Sequence, residues 1–307
     1  MPQGNGDLCV VTGAFGYTGR YIARRLIADG KRVRTLTNHP NRDNPFGDSV
    51  ESAPLAFSRP DVLVKSLQGA DVLFNTYWIR FEYGGATFEK AVANTEALVR
   101  AAEEAGVRRV VHVSVSNPSE DSPLPYFRGK ALAEKAVAAS KLSYAIIRPT
   151  LIFAAGDILI NNIAWLLRKF RLFPIPGRGD FRLQPISAED VADLAVAMSE
   201  LDDNAVVNAF GPEVYTFDDL VRKIDQRIGA RARILHVSPA LALALSNVVG
   251  YFTGDVILTR DEVEGLSANL LVCPGEPTGK KRLSDWLMEN SETIGRAYAS
   301  ELARHYE

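Results

Sequence analysis

The sequence predicts an α/β protein built on a doubly wound parallel sheet. Between residue 8 and about residue 200, short apolar runs alternate with segments whose apolar residues recur at helical spacing. A glycine-rich turn separates the first apolar run from the first helical segment. Strands that alternate with helices pair in parallel, because each helix carries the chain back across the sheet. A chain of 307 residues, 47% hydrophobic and 23% charged, has ample material for the core of such a fold.

The first element is a strand, Leu8–Val11, whose continuous apolar residues are typical of burial on both faces. Gly13, Gly16 and Gly19 follow it, and a helical run extends to Gly30. We expect the first glycine to permit a tight turn, the second to let a pyrophosphate approach the backbone, and the third to let helix and strand pack closely. The helix N-terminus offers free N–H groups to that anion. The predicted dinucleotide contacts are Gly13, Phe15, Gly16, Tyr17 and Thr18.

The second predicted strand, Arg32–Thr37, leads to the residues expected beside the adenosine ribose. An acidic residue there hydrogen-bonds the 2′-hydroxyl of NAD, whereas a basic residue favours the 2′-phosphate of NADP. No carboxylate occurs before Asp43, while Arg42 could pair with a phosphate and Asn38 could hydrogen-bond it, together with Thr37. The sequence therefore favours NADP over NAD, the alternative being that Arg42 is a solvated charge in a turn.

Further strands are predicted at Val50–Phe57, Ala70–Asn75, Val107–Ser114 and Ser143–Thr150, with helices at Pro60–Leu67, Thr87–Ala105 and residues 125–140. The loop after Asn75 is rich in aromatic residues and leaves the carboxyl end of a strand, where ligands bind in such sheets. Asn75 and Thr76 are therefore predicted cofactor contacts. Tyr77, Trp78 and Arg80 are expected either beside the cofactor or in a packed loop.

Tyr126 and Lys130 are four positions apart at the start of a predicted helix, so their side chains share one face. An ammonium beside a phenol favours the phenolate and lowers the pKa of the tyrosine. Such a tyrosine can exchange a proton with a carbinol or carbonyl oxygen while hydride moves to or from a nicotinamide. A serine at the end of the neighbouring strand would hold the same oxygen, and Ser114 or Ser116 is placed to do so. The alternative is that the Tyr–Lys pair is structural.

Together with Ser114, the segments Thr12–Gly19, Tyr126–Lys130 and Arg148–Thr150 resemble an atypical short-chain dehydrogenase/reductase of the NAD-dependent epimerase/dehydratase family. Over roughly residues 7–200 the chain is similar to NmrA-like proteins and to the nucleotide-binding accessory subunit of respiratory complex I. The resemblance implies a Rossmann domain, with Tyr126 as general acid/base, Lys130 on the tyrosine and the nicotinamide ribose, Ser114 on the substrate, and Pro149 beside the cofactor. Some relatives keep the nucleotide site without catalysing a reaction, as sensors or structural subunits.

The predicted organisation is a NAD(P)-binding domain at 1–212, with an insertion at about 151–184 on the substrate side, and a smaller α+β substrate or lid portion at 213–307. Further predicted elements are a helix at Asp157–Phe170, a loop at Phe173–Asp180 over the substrate, a strand and helix within Gln184–Ala192, and helices at Thr216–Ile228, Arg282–Met288 and Thr293–Tyr306. Arg178 and Arg182 would receive an anionic group or be solvated. The apolar run 240–252 is too short to span a bilayer. We expect a buried helix there, with a membrane-surface or partner-docking helix as the alternative.

A net charge of −2 argues against nucleic acid as the main partner. The N-terminal residues show neither the charged region nor the apolar core of a signal peptide. Cys9 is expected to be a small buried hydrophobe, and with Cys273 it gives no metal-ligand spacing, so no metal is predicted. A cytoplasmic protein without disulfides fits this composition.

The leading functional hypothesis is a NAD(P)-dependent oxidoreductase, or an epimerase/dehydratase-like enzyme, acting on a small carbonyl or alcohol with Tyr126 handling the proton. The alternative is a non-catalytic NAD(P)(H)-binding sensor or assembly subunit. The predicted partner is a small-molecule substrate, without nucleic acid or a membrane span, and the sequence leaves a homodimer open.

Overall fold

The structure is a computed structural model that describes residues 8–39 and 43–305. It divides into two compact units, of which the first comprises Met1–Pro149 with Ala188–Ala209 and the second comprises Thr150–Ser187 with Phe210–Glu307. The predicted insertion at about 151–184 therefore lies within the second unit. The substrate role expected of that unit stays a prediction.

Thirteen strands and eleven α-helices are assigned within the described residues. The strands are β1 Leu8–Thr12, β2 Arg32–Thr37, β3 Val50–Pro54, β4 Val72–Asn75, β5 Arg109–Val113, β6 Ser143–Pro149, β7 Leu151–Phe153, β8 Leu172–Pro176, β9 Arg182–Leu183, β10 Pro185–Ser187, β11 Ala205–Ala209, β12 Tyr215–Thr216 and β13 Arg233–Val237. The helices are α1 Tyr17–Ala28, α2 Pro60–Leu67, α3 Phe88–Glu104, α4 Pro125–Ala138, α5 Leu159–Phe170, α6 Ala188–Ser199, α7 Phe217–Ile228, α8 Pro239–Thr253, α9 Arg260–Ser267, α10 Leu283–Glu289 and α11 Glu301–His305.

The first unit is built on a seven-stranded sheet in the order β11-β6-β5-β4-β1-β2-β3, and every neighbouring pair is parallel. The chain winds outward from β1 in one direction to β3 and then in the other from β4, so the strand order reverses between β1 and β4. Such a reversal opens a crevice at the carboxyl ends of the two strands, where ligands bind in open α/β sheets. The predicted doubly wound parallel sheet is confirmed.

Helices cover both faces of this sheet. Helices α1 and α6 pack against each other and against the strands on one face, while α3 packs against α2 and α4 on the other. The core of the second face is aliphatic and fully buried, with Leu63 from α2, Leu98 from α3 and Val137 from α4. Burial of such side chains on both sheet faces explains why the strands read as continuous apolar runs.

The second unit has three two-stranded sheets and its own core. β7 pairs in parallel with β10, β8 pairs in parallel with β13, and β9 pairs antiparallel with β12. The buried cluster includes Phe153, Ile163, Phe217 and Trp286. Thr216 is the N-cap of α7, and its side chain accepts a hydrogen bond from the backbone N–H of Asp219.

Two predicted elements of the second unit are wrong. Residues Phe173–Asp180 were expected to form a loop, but the first four of them belong to β8, because proline is tolerated in a two-stranded sheet whose outer edges need no partner. Most of the predicted helix Thr293–Tyr306 is irregular, and a described helix begins only at Glu301. Gly295 has φ +68°, and a Cβ there would lie 2.5 Å from the Ala164 backbone. This close approach and positive φ interrupt a helix.

The prediction of a buried helix at 240–252 is also wrong. Helix α8 forms there, but its buried residues are Ala242 and Gly250. The side chains of Tyr251 and Phe252 are 85% and 81% exposed. Across the described residues, no helix has the length and apolar character needed to cross a membrane.

Candidate functional site

The turn between β1 and α1 has the geometry that its three glycines predict. Gly13 has φ +68° and donates its N–H to the carbonyl of Leu36 on β2 at 3.0 Å. The N–H of Gly16 bonds the Gly13 carbonyl at 2.8 Å, which closes the turn. A Cβ on Gly19 would lie 2.3 Å from that same carbonyl oxygen. A side chain at position 19 is therefore excluded by the close packing of helix and turn.

The N-terminus of α1 is left open by its sequence. Gly16 is the N-cap residue and has no side chain to accept a hydrogen bond, and the first turn contains no acidic residue. The first N–H groups of a helix lack intrahelical partners and carry a partial positive charge. The predicted contacts Phe15, Tyr17 and Thr18 lie in this turn, which forms a cradle suited to a pyrophosphate.

A buried hydrogen-bond network joins the carboxyl ends of β1 and β4. Thr12 Oγ1 accepts from the backbone N–H of Thr76 at 2.8 Å, and Thr76 Oγ1 donates to the Thr12 carbonyl at 2.6 Å. Asn75 Oδ1 accepts from the Tyr77 N–H at 3.1 Å. The predicted contacts Asn75 and Thr76 thus lie at the crevice beside the glycine turn. A Cβ added to Gly13 would lie 3.9 Å from the Thr76 hydroxyl oxygen.

His112 on β5 extends this network. The Asn75 amide nitrogen lies 3.0 Å from His112 Nδ1, and since this nitrogen is a donor, the histidine must accept there and carry its proton on Nε2. Burial lowers the pKa of His112 to about 3, so the ring is neutral. Its Nε2 is buried and has no hydrogen-bond partner among the described residues. Sequence analysis missed this residue, because a histidine within an apolar strand gives no signal beyond ordinary packing.

A cleft of about 940 Å³ opens at the carboxyl ends of β2, β3 and β4. It is lined by residues that follow the three strands, among them Asn38, Phe57 and Tyr77, and by residues of the 84–94 segment. The rings of Phe57 and Tyr77 pack 4.7 Å apart, and the Tyr77 hydroxyl accepts from Asn94 Nδ2 at 2.7 Å. Apolar rings beside amide groups suit a flat heteroaromatic base.

Two cations line this cleft, and none of the described residues around it is acidic. They are Arg59, at the N-cap of α2, and Lys90, in the first turn of α3. Neither side chain has an ion-pair partner in the part of the chain that the structure describes. The predicted Asn38 lies in the cleft, whereas the predicted Arg42 falls outside the described residues. The cleft therefore offers an anion two cations, Arg59 and Lys90, that sequence analysis did not name.

Lys130 of α4 is buried at the end of β5. Its Nζ donates to the Val113 carbonyl at 2.9 Å and lies 4.6 Å from the ring centre of Trp78. Burial lowers the pKa of Lys130 to about 7, with the nearby Glu134 carboxylate acting in the opposite direction. Glu134 is itself paired with Arg148 at 2.5 Å. The ammonium is thus held in an apolar, water-poor position one helical turn from Tyr126.

Tyr126 lies among aromatic rings at the start of α4. Its ring centre is 6.3 Å from that of Trp78 and 6.0 Å from that of Phe88, both edge to face. The absence of a side chain at Gly129 admits the indole, since a Cβ there would lie 3.2 Å from the Trp78 ring. Trp78, predicted either beside the cofactor or in a packed loop, therefore contacts both members of the predicted Tyr–Lys pair.

The two serine candidates are both buried. The N–H of Ser114 bonds the carbonyl of Ile147, and that of Ser116 bonds the carbonyl of Pro149, so both lie beside the end of β6. Ser114 Oγ has no hydrogen-bond partner in the described structure. A buried hydroxyl without a partner is costly, and it is available to a ligand oxygen. Pro149, a predicted cofactor contact, is placed at the same sheet edge.

The sheet order and the glycine turn define the class of this protein, a Rossmann-type dinucleotide-binding domain. Residues 13–202 match the model of a family described as NAD(P)H-binding, and this match covers more than half of the chain. The chain belongs to this NAD(P)H-binding family. The family match does not distinguish binding of NAD from binding of NADP.

Individual relatives differ in what they are named for. The chain is 27% identical over 288 residues to NADH dehydrogenase (ubiquinone) 1 alpha subcomplex subunit 9, mitochondrial, of Arabidopsis thaliana, covering 87% of this chain and 71% of the relative. It is 27% identical to the ceramide reductase of Caulobacter vibrioides, covering 74% and 72%. Triphenylmethane reductase of Citrobacter sp. complexed with NADP(H) shares the fold, with a TM-score of 0.73 at 15% identity over 92% of this chain and 99% of that one. The predicted cytoplasmic location stays a prediction.

Proposed function

We propose that this protein is an NADP(H)-dependent oxidoreductase of the short-chain type that acts on a carbonyl or alcohol. The observation that carries the proposal is the buried Lys130, one helical turn from Tyr126 and bonded to the Val113 carbonyl, next to the unpartnered Ser114 hydroxyl. Burying a lysine ammonium costs stability, and buried ionisable groups with shifted pKa values cluster at functional sites. A non-catalytic binder has no need of a phenolate, and hence no need of a tyrosine activated by such a lysine.

The residues present suit the cofactor. The cradle formed by Gly13, Gly16 and the open N-terminus of α1 would hold the pyrophosphate, and the cleft after β2 and β3 would hold the adenosine. Arg59 and Lys90 line that cleft with no carboxylate between them, which supports a 2′-phosphate and hence NADP. The cofactor, when bound, supplies or accepts hydride.

The protein's own residues would manage the proton. Tyr126 would donate its phenolic proton to the carbonyl oxygen during reduction and recover it during oxidation. A protonated Lys130 would stabilise the phenolate between these events, and the Ser114 hydroxyl would donate to the same substrate oxygen. Trp78, packed against Lys130 and Tyr126, would exclude water from the pair.

A second candidate is supported by the relatives. The Arabidopsis protein is named as a subunit of NADH dehydrogenase, so this chain could hold a nucleotide in an assembly without turning it over. On that proposal the nucleotide would bind tightly and stabilise the fold by mass action, and Lys130 would serve binding alone.

The cofactor preference is tested by titrating the purified chain with NADPH and NADH while following tryptophan fluorescence. The double variant R59Q/K90Q should lose about tenfold or more in NADPH affinity, because two charge-assisted contacts to phosphate are removed, and its NADH affinity should change little. Lys65→Gln, an exposed lysine at the last turn of α2 away from the cleft lining, is the control. Equal affinities for NADPH and NADH in the wild type would contradict the NADP preference.

Catalysis is tested with Tyr126→Phe, using a panel of aldehydes, ketones and long-chain acyl carbonyls and following the absorbance of the reduced nicotinamide. The variant should lose about 10²- to 10⁴-fold in turnover, the usual contribution of a general acid, while its NADPH affinity stays near that of the wild type. Tyr144→Phe on β6 is the matched control. Tight NADPH binding without consumption on any carbonyl would favour the non-catalytic candidate.

A further inference from the structure

Helix α8 presents an apolar surface that the second unit does not cover. Its fifteen residues include no charged side chain. The exposed large side chains along it are Leu241, Leu245, Val248, Tyr251 and Phe252. Tyr251 and Phe252 are in edge-to-face contact at 5.6 Å and are more than four-fifths exposed. Exposed apolar surface of this kind usually marks a docking site.

The strands next to α8 and the end of α5 carry further exposed apolar side chains. Helix α8 packs against β8, and β8 pairs with β13. Phe173 and Ile175 of β8 point into the core, so the alternation of a strand places Leu172 on the opposite face. Leu172, Leu235 of β13 and Phe170 at the end of α5 are exposed. We call these eight side chains, with α8, the α8 face.

The Arg, Lys, Asp and Glu positions within the segments that form the α8 face are all basic. Residues 168–176 and 231–254, which form its strands, its helix and the segment leading into β8, contain five Arg or Lys residues and no Asp or Glu. The guanidinium of Arg168 donates hydrogen bonds to backbone carbonyls of the second unit. The other four are exposed and have no carboxylate partner among the described residues, namely Lys169, Arg171, Arg231 and Arg233.

Acidic groups of α7 near this edge already have partners, and Asp225 accepts a hydrogen bond from the backbone N–H of Ala232 at 2.9 Å. Asp218 of α7 lies 2.9 Å from His236 of β13 and is paired with Arg222 at 2.5 Å. The protein as a whole carries a net charge of −2, so the cationic rim is a local feature. A surface with an apolar centre, exposed aromatic rings and a cationic rim is complementary to a bilayer whose headgroups are anionic.

We propose that the α8 face docks the protein onto the surface of a membrane that carries anionic lipids. A helix of this length is about 22 Å long, shorter than the hydrocarbon core, so α8 would lie in the plane of the interface. Tyr251 and Phe252 would enter the headgroup boundary, where aromatic side chains are favoured. Arg171 and Arg233 would contact lipid phosphates. A two-fold dimer through this face would instead bring the cationic rims of two copies together, which is unfavourable.

The proposal is tested by sedimenting the full-length chain with vesicles of phosphatidylcholine alone and of phosphatidylcholine mixed with phosphatidylglycerol. The wild type should bind the anionic vesicles, bind the neutral ones weakly, and lose binding as salt is raised. The variant R171E/R233E should bind anionic vesicles at least about 30-fold more weakly, because each lost surface cation removes about fivefold and each new carboxylate is repelled. Y251S/F252S should lose about tenfold or more on both vesicle types.

Matched controls separate this face from the rest of the surface. L201S/V206S replaces two exposed apolar residues of the first unit, and R32E/K141E reverses two of its cations, and both should bind vesicles as the wild type does. NADPH affinity should be unchanged in every variant, which shows that each one is folded. Failure of the wild type to sediment with anionic vesicles would overturn the proposal. So would equal binding by wild type and Y251S/F252S, or a self-association that Y251S/F252S abolishes.

Discussion

The turn after β1 and the helix α8 are both uncharged stretches. Contacts within the protein fix the conformation of the turn, whereas the largest side chains of α8 are exposed to solvent. In the turn, the carbonyl of Gly13 accepts a hydrogen bond and excludes a side chain at Gly19. In α8, the buried residues are Ala242 and Gly250, and its largest side chains face solvent. The comparison teaches that an uncharged sequence indicates a core element only where other parts of the chain pack against it. Where they do not, its apolar side chains are exposed and can contact another molecule or a membrane.

Among variants of the turn, of its hydrogen-bond network and of α8, the largest effect on stability is expected from Gly19→Ala. The new Cβ would lie 2.3 Å from the Gly13 carbonyl oxygen, so turn and helix must separate. Overpacking of this kind should lower the free energy of unfolding by about 3 kcal/mol, and the affinity for NADPH should fall as well. Urea unfolding and fluorescence titration measure the two effects.

Gly30→Ala is the control for this first prediction. Gly30 has φ +75° and nothing within 4 Å of an added Cβ, so an alanine there causes backbone strain without a steric clash. A cost of about 1 kcal/mol is expected there, with NADPH affinity unchanged. Equal costs at the two glycines would mean that the close packing of the turn contributes little.

A smaller loss is expected from Asn75→Ala. The substitution leaves the buried His112 Nδ1 without its donor. The Tyr77 N–H loses one of its two acceptors and keeps the other, Thr12 Oγ1. Unsatisfied buried groups cost about 1–3 kcal/mol. Asn44→Ala is the control, because the side chain of Asn44 makes two hydrogen bonds in an exposed turn. If both variants unfold at the same urea concentration, the buried network adds nothing to the stability of the first unit.

Much of the first unit could be predicted from the sequence, because its signals are local. The glycine spacing predicts the turn, and apolar runs predict β2 and α2 at the residues where the structure has them. Trp78 and His112 reach the Lys130 region from loops and strands far apart in sequence, and no spacing predicts such a meeting. In the second unit, the prolines of β8 indicated a loop, but pairing with β13 makes the segment a strand. Close packing of Gly295 against the Ala164 backbone interrupts a helix that the sequence predicted. Hydropathy alone could not tell whether α8 is covered.

The stability conferred at Lys130 should depend on pH. Burial lowers the pKa of Lys130 to about 7, against an ordinary value of 10.5 that the unfolded chain keeps. Between these values the unfolded chain binds more protons, so the folded state gains stability as pH rises above about 7 and is least stable below it. Lys130→Met removes this dependence. Its Tm relative to the wild type should therefore be about 3 °C or more higher in acid than in alkali.

Lys135→Met, on the exposed side of the same helix α4, is the control for the Lys130 prediction. Lys135 pairs with Glu120 in solvent, and its replacement should shift Tm equally across the pH range. Parallel pH profiles for wild type and Lys130→Met would show that Lys130 is not desolvated in the folded protein. The lysine would then be an ordinary surface charge, and the proposed role beside Tyr126 would lose its support.

The smallest effect is expected where the comparison began, on α8. Because Tyr251 and Phe252 contact mainly each other and solvent, Y251S/F252S should change the free energy of unfolding by no more than about 0.5 kcal/mol. Phe217→Ala, in the buried cluster of the same unit, should cost about 3–5 kcal/mol. Urea unfolding of both variants without vesicles measures the contrast. A cost on α8 that approaches the cost at Phe217 would make the helix part of the core, and its apolar residues would then need no membrane to explain them.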